Sequence, residues 1–401
     1  MDFYIYRLGD LFRRFSSGKN LTSEKISSEG EYPVYGGNGL RGYTAEYNFE
    51  GECIIIGRQG AKCGNIHYFN GKGYMTDHAI VGVSKKEHDS RFLSYALTAL
   101  DLNRLSGQAA QPGLAVSMLK KQKIQLPSSE NQFKIAEIIS IYDNLIENNN
   151  KRIKILEQMA ENLYKEWFVR FRFPGYEDVE FVGSFLGKLP STFNIVKIGT
   201  VIEYYIGGGW GEEELSELFP EEAYVVRGTD FPNVKHGILN SCPLRYHKSS
   251  NYNQRAFKVN DIAFEVSGGT QKQPVGRSIL ITERQLDRFN NRLICASFCK
   301  LIRCNIKKVS PRYFYHWLQY LYETRIIEQY QAQSTGIINF KFEYFLRKCN
   351  LMIPPKDIMD KFTESVKPIY DEIDNLAEQN SKLIAQRDML LPRLMSGKLE
   401  V

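Results

Sequence analysis

Two short strings in the sequence join glycine to side chains that read nucleic acids. Gly57-Arg58-Gln59-Gly60-Ala61-Lys62 follows the apolar run Cys53-Ile54-Ile55-Ile56. Ser267-Gly268-Gly269-Thr270-Gln271-Lys272-Gln273 follows Ala263-Phe264-Glu265-Val266 in the same relative place. Arg, Lys, Gln, Ser and Thr bond base edges or phosphate oxygens, and glycine lets a backbone come close to a ligand. Each string has a companion, Ser106-Gly107-Gln108-Ala109-Ala110-Gln111 and Gln331-Ala332-Gln333-Ser334-Thr335. The candidate contact residues are Arg58, Gln59, Lys62, Gln108 and Gln111 in the first half. In the second half they are Thr270, Gln271, Lys272, Gln333 and Ser334. A solvated hairpin tip is the plain alternative for any one of them.

Other motifs carry no chemistry when their contexts are read. Gly37-Asn38-Gly39-Leu40-Arg41-Gly42 fits a dinucleotide-binding spacing. The residues after it, Tyr43-Thr44-Ala45-Glu46-Tyr47, are aromatic and turn-like where that site needs a helix. Gly183 to Lys188 lacks the spacing and the Ser or Thr of a phosphate loop. Cys295, Cys299 and Cys304 have no C-x-x-C pair and no nearby His, so no metal site is expected. Glu212-Glu213-Glu214 reads as a solvated surface or helix start. Neither an Asn-Pro-Pro-Tyr methyltransferase motif nor a carboxylate–lysine nuclease cluster is present, so no catalytic residue is assigned and no cofactor is expected.

Elements that could position the glycine strings follow from texture. At 401 residues the chain exceeds one core. Residues 1–127 alternate short strand-like runs with glycine turns and one helix from Ser90 to about Leu102. From Glu130 to about Trp167 there is no Gly or Pro, and apolar residues recur at helical steps. Residues 173–355 repeat the first texture, with a helix from about Pro311 to Glu328. A second long helix runs from Lys356 to about Leu391, with Pro392 expected to kink or end it. The division is therefore 1–127, 128–172, 173–355 and 356–401. The fold class is α+β: two globular mixed domains separated by two long helices.

Charge follows the same division. Residues 1–127 hold 16 basic and 12 acidic side chains, and 173–354 hold 22 and 18. Residues 128–172 balance at 7 and 7, and 355–401 carry 7 basic against 9 acidic. The positive excess thus sits in the globular blocks, which permits a polyanionic partner. Seven unevenly spaced cysteines, no signal peptide and no apolar span of about 20 residues point to reduced thiols, a cytoplasmic location and no membrane.

The halves are internally alike. Tyr6–Leu11 resembles Val196–Val201, Tyr32–Gly36 resembles Tyr224–Gly228, and Arg91–Tyr95 resembles Arg312–His316. Ile141-Tyr142-Asp143 recurs as Ile369-Tyr370-Asp371. An ordered series of this kind indicates duplication with a pseudo-twofold relation. Each long helix has one apolar stripe, which alone would stay exposed. Antiparallel pairing would bury both, with Ile138, Leu145, Leu156 and Leu163 facing Val366, Ile369, Ile373, Leu376 and Leu383. Asn149 and Asn380 fall in or near the seams and would fix register. The alternative packs each helix on its own domain.

The chain resembles the specificity subunits of type I restriction–modification systems. The resemblance rests on the block–helix–block–helix plan and on Asn148-Asn149-Asn150-Lys151-Arg152-Ile153 with Leu163-Tyr164-Lys165-Glu166-Trp167-Phe168. It rests most on Leu390-Leu391-Pro392-Arg393-Leu394-Met395-Ser396-Gly397-Lys398-Leu399. It implies that each block is a target recognition domain reading half of a split, asymmetric site in double-stranded DNA. It implies that the helices set the unread gap and dock two methyltransferase subunits, with translocase–nuclease subunits joining the complex. S-adenosylmethionine, ATP and Mg would then belong to partners, and this chain would be non-catalytic. A stiff spacer suits that task, since DNA turns about 34–36° per base pair and one helical residue advances about 1.5 Å. Two other classes remain: a coiled-coil scaffold that reads no DNA, and an enzyme with an unrecognised site.

Overall fold

The computed structural model describes residues 1–60, 62–106, 113–185, 187–236, 241–269, 273–334 and 337–401. Two long helices span Ser129–Tyr164 and Lys356–Met395. The chain divides into two compact units, and the division cuts both helices. The first unit is Met1–Ile146 with Leu383–Val401, and the second is Glu147–Lys382.

The first unit is built on a six-stranded sheet. Its central strand, Phe49–Gly57, pairs antiparallel with Ile66–Met75 on one side and Ala79–Ser84 on the other. Ile54, Ile55 and Ile56 are fully buried, as a β-branched run covered on both faces must be. Helix Ser90–Ala99 starts where Asp89 accepts a hydrogen bond from the Phe92 amide at 2.7 Å. It seats Phe92, Leu93 and Leu97 against Ile54, Ile56 and Ile80. An antiparallel pair of the block's first and last strands, Phe3–Arg7 with Lys123–Pro127, precedes the long helix.

The second unit repeats much of that frame, with its strands divided between a four-stranded and a three-stranded sheet. Asn194–Lys197 pairs with Asn350–Ile353, as Phe3–Arg7 pairs with Lys123–Pro127. Strand Ile262–Glu265 lies between Ser278–Leu280 and Cys299–Cys304. Strands Phe12–Ser17 and Ile202–Gly207 carry the same irregularity, at Phe12/Arg14 and at Ile202/Tyr204. The Gly18 amide bonds Ala79 O at 3.0 Å, and the Gly208 amide bonds Cys299 O at 2.9 Å. Added Cβ atoms on these two glycines would both come within 2.2 Å of a backbone carbonyl oxygen. Ser310 caps helix Pro311–Glu323 as Asp89 caps Ser90–Ala99.

One alignment expected from sequence moves by a residue. Thr76 N bonds Tyr35 O, and Ala296 N bonds Val226 O, so Tyr35 corresponds to Val226 and not to Arg227. Matching tyrosines in sequence shifted a strand whose backbone bonds set the true register.

Within each unit the halves of the long helices pack side by side. In the second, Asn149 Nδ2 donates to Asn380 Oδ1 at 3.0 Å, and Asn380 Nδ2 donates to Asn150 Oδ1 at 2.9 Å. Arg152 pairs with Glu372 at 2.7 Å, and Ile153 packs with Ile373, Leu376 and Ala377. Rising numbers on one helix meet falling numbers on the other, so the pair is antiparallel. In the first unit Arg387 Nη1 reaches Asp143 Oδ1 at 2.9 Å, and Ile135, Ile139 and Leu394 share a core.

Of the expected seam, Val366 and Leu376 are fully buried and Ile373 nearly so. Ile138, Leu156, Leu163, Ile369 and Leu383 are half-buried. Leu145 is 47 % exposed and lies outside the seam. The packed row runs through Ile135, Ile139, Ile146, Asn149, Ile153, Leu156 and Ala160, one step away from Leu145 in helical phase. The C-terminal helix continues past Pro392 to Met395.

Candidate nucleic-acid interface

The glycine string of the first unit leaves the sheet at Gly57. A Cβ there would stand 2.3 Å from Gly37 O and 2.7 Å from Lys62 O, so only glycine fits this corner. The turn beyond it closes through Gly64 N to Gly57 O at 2.8 Å, with Gly60 and Gly64 at φ near +88° and +89°. Gln59 and Lys62 are exposed and Arg58 is half-buried. Arg58 Nη1 donates to Asp77 O at 3.3 Å, which leaves most of its guanidinium donors for another partner. Arg58 O accepts from Leu114 N at 2.8 Å, and Gln59 bridges Gly113. The first glycine string therefore lies against the residues that follow its companion string.

The second unit makes the same juxtaposition with regular strands. Ser267–Gly268 pairs with Ile338–Asn339, and Gln331–Ser334 pairs with Ile337–Phe340 on the other side. Ser267 Oγ donates to Asn339 Oδ1 at 2.7 Å. The backbones of Gln333 and Gly268 thus flank Ile338. Gln108, Gln111, Thr270, Gln271 and Lys272 lie outside the described residues.

Sequence reasoning missed a cavity of about 750 Å³ beside this second string. Glu265 and Arg277 line it, joined by Nε–Oε2 at 2.9 Å and Nη2–Oε1 at 2.6 Å. Hydrogen bonding to Glu265 raises the Arg277 pKa further. Arg227 lies near them, held by Asp230 through bonds of 2.8 and 3.0 Å. The available signal was Glu265 itself, a carboxylate inside an apolar strand, which needs a buried partner.

Other motifs take structural roles. Gly37 and Asn38 form the turn between strands Tyr32–Gly36 and Gly39–Thr44, and Gly39 to Gly42 lie in the second of these strands. All seven cysteines are buried and unpaired, and burial pushes the thiols of Cys53, Cys242 and Cys295 up to about 12. Among the described residues no group of three or more His, Cys, Asp or Glu is placed to hold a metal. No described helix is long and apolar enough to cross a membrane.

Each globular block is fixed to its share of the helices. In the first unit Tyr95 OH donates to Asp143 Oδ2, and His88 Nδ1 meets Gln132 Oε1 at 3.1 Å. In the second, Glu157 meets Lys235 at 2.8 Å and His236 at 3.1 Å. Burial works against the Glu157 charge, yet His236 and Lys235 bring its pKa down to about 2.

Residues 1–158 match the family described as the type I restriction modification DNA specificity domain. That match takes in about 39 % of the chain, its N-terminal part. The specificity subunit of the EcoprrI enzyme from Escherichia coli is 36 % identical over 159 residues, 39 % of this chain and 39 % of that one. The MjaIX specificity subunit of Methanocaldococcus jannaschii is 27 % identical over 310 residues, 75 % of this chain and 66 % of that one. The chain thus spans 39 % and 66 % of the length of these two relatives. The crystal structure of a type I restriction–modification S subunit from M. genitalium has a similar fold. Its TM-score is 0.56 at 16 % identity, over 98 % of this chain and 96 % of that one. The chain therefore shares a fold with that S subunit across nearly its whole length.

Proposed function

We propose that the chain is the non-catalytic DNA-reading subunit of a type I restriction–modification complex. In this reading, blocks 1–127 and 173–355 each read one half of a split, asymmetric target in double-stranded DNA. Segments 128–172 and 356–401 set the length of the unread gap and dock two methyltransferase subunits. Translocase–nuclease subunits join through that complex, and S-adenosylmethionine, ATP and Mg act on the partners. The complex works on the chromosome in the cytoplasm.

The observation that carries this reading is the repeated pairing of a glycine string with its companion at the same place in both units. The surrounding frames match while the reading side chains differ. One chain with two unlike readers calls for a target with two unlike halves. Exposed apolar residues on the central helix support docking: Ile141 and Leu145 in the first unit, Ile155 and Met159 in the second.

Methylome sequencing of the host tests the reading. One two-part asymmetric methylation motif is expected, and deletion of this gene should erase it. Arg58→Ala should weaken or relax reading of one half by about 1–3 kcal/mol while the complex still assembles. An unchanged methylome after deletion, or an R58A complex that fails to assemble yet reads DNA normally, would overturn it.

A further inference from the structure

The cavity beside Ser267, Gly268 and Gly269 has a definite chemistry. Glu265 is 4 % exposed, and both its oxygens accept from Arg277. A carboxylate has about four lone-pair sites, so two remain. Two glycines keep them uncovered. A Cβ on Gly228 would stand 2.3 Å from Glu265 Oε1, and one on Gly268 would stand 3.7 Å away. Trp210 and Phe298, also among its lining residues, are 41 % and 63 % exposed; the Arg245 guanidinium lies over one face of Trp210, 5.1 Å from the ring centroid.

Charge decides the class of ligand. The two guanidinium groups, Arg277 and Arg227, are each neutralised by a bidentate carboxylate, Glu265 and Asp230. Among the described lining residues a phosphate would find no unpaired cation and would meet the Glu265 carboxylate. A neutral planar ring fits instead, stacked on the aromatic faces and donating an amino hydrogen to Glu265. A base inside a duplex presents only its edge, so it enters a concave site by leaving the stack.

Among the described residues the first unit leaves no room for a side chain at the equivalent point. Arg58 N bonds His78 O and Val266 N bonds Phe298 O, which aligns Gly57 with Glu265. Backbone oxygens of Gly37 and Lys62 occupy the room that any side chain at Gly57 would need.

We infer that the second unit takes an amino-bearing nucleobase, adenine or cytosine, from its half-site out of the stack into this cavity. The inference rests on the reading of the chain as a DNA specificity subunit. The test uses the chain assembled with its methyltransferase subunits and duplexes carrying the methylome motif. The half left unaffected by R58A belongs to the second unit. 2-Aminopurine placed next to each position of that half in turn reports unstacking by its fluorescence. One position should brighten severalfold on binding. The double variant Trp210→Ala, Phe298→Ala should abolish that signal and weaken binding about tenfold or more. Glu265→Gln should relax the preference for adenine or cytosine at that position alone. Sequence-specific binding with no brightening, or with brightening untouched by the rim variant, overturns the inference and leaves the specificity reading intact. Absence of sequence-specific binding by the unaltered complex overturns the reading and the inference together.

Discussion

Gly57 and Glu265 end the same strand in two copies of one frame, and they do opposite things. In the first unit the corner is shut by backbone, with Gly37 O only 2.3 Å from where a side chain would begin. In the second the same corner holds a buried ion pair under a cavity of about 750 Å³. The units also differ in how they hold the long helices. The first uses aliphatic side chains, Ile135, Ile139, Leu97 and Leu394. The second uses rings: Phe168 lies 4.7 Å from Tyr313 and 5.1 Å from Phe362, and Tyr164 stacks on His316 at 5.8 Å. A duplicated backbone thus tolerates divergent contents wherever backbone bonds, and not side chains, set the geometry.

The sharpest way to break this comparison is at the rings. Phe168→Ala, at 1 % exposure, should cost about 3–5 kcal/mol. Hydrogen exchange should show protection lost within Glu147–Lys382 and retained in the sheet of the first unit. Equal loss in both would mean that the units are not separate energetically. A second cut tests the shared frame. Gly18→Ala and Gly208→Ala meet the same obstruction, carbonyl oxygens at 2.2 Å, and each should lose about 1–3 kcal/mol by urea denaturation. A large loss at one site with none at the other would break the equivalence.

The smallest effect is electrostatic and belongs to the second unit. Burial, and then the neighbouring Glu323 carboxylate, raise the Glu161 pKa above its ordinary 4.5. Above about 4.5 and up to the raised value the folded chain binds more protons than the unfolded one. Stability therefore falls as pH climbs through that window. Glu161→Gln cannot ionise, so its melting temperature should gain on the parent between pH 5 and pH 8. A constant difference across that range would remove Glu161 as the cause.

The sequence reported some of this better than the rest. The seam of the C-terminal helix could be read directly, because steps of four and three run from Phe362 to Leu394 with only Asn380 and Arg387 not apolar. The central helix has competing apolar rows. Ile141, Leu145, Ile155 and Met159 are exposed, and periodicity alone could not say which row meets the partner. Paired loops were foreseeable from their position after matching strands. The Gln59–Gly113 bridge and the Gly268–Ile338 pairing are long-range contacts with no local mark. The ion pair escaped because Arg277 sits twelve residues beyond Glu265, and only the strand pairing of Phe264 with Ser278 brings them together.

Seven thiols sealed inside the two units have a practical side. With Cys53, Cys242 and Cys295 titrating near 12, almost none of their sulfur is thiolate at neutral pH, and oxidants and alkylating reagents find little to attack. A single cysteine introduced at an open position such as Phe298 would then stand alone as a reactive handle. A fluorophore or spin label placed there would sit on the lip of the cavity, against a native background silent to maleimide.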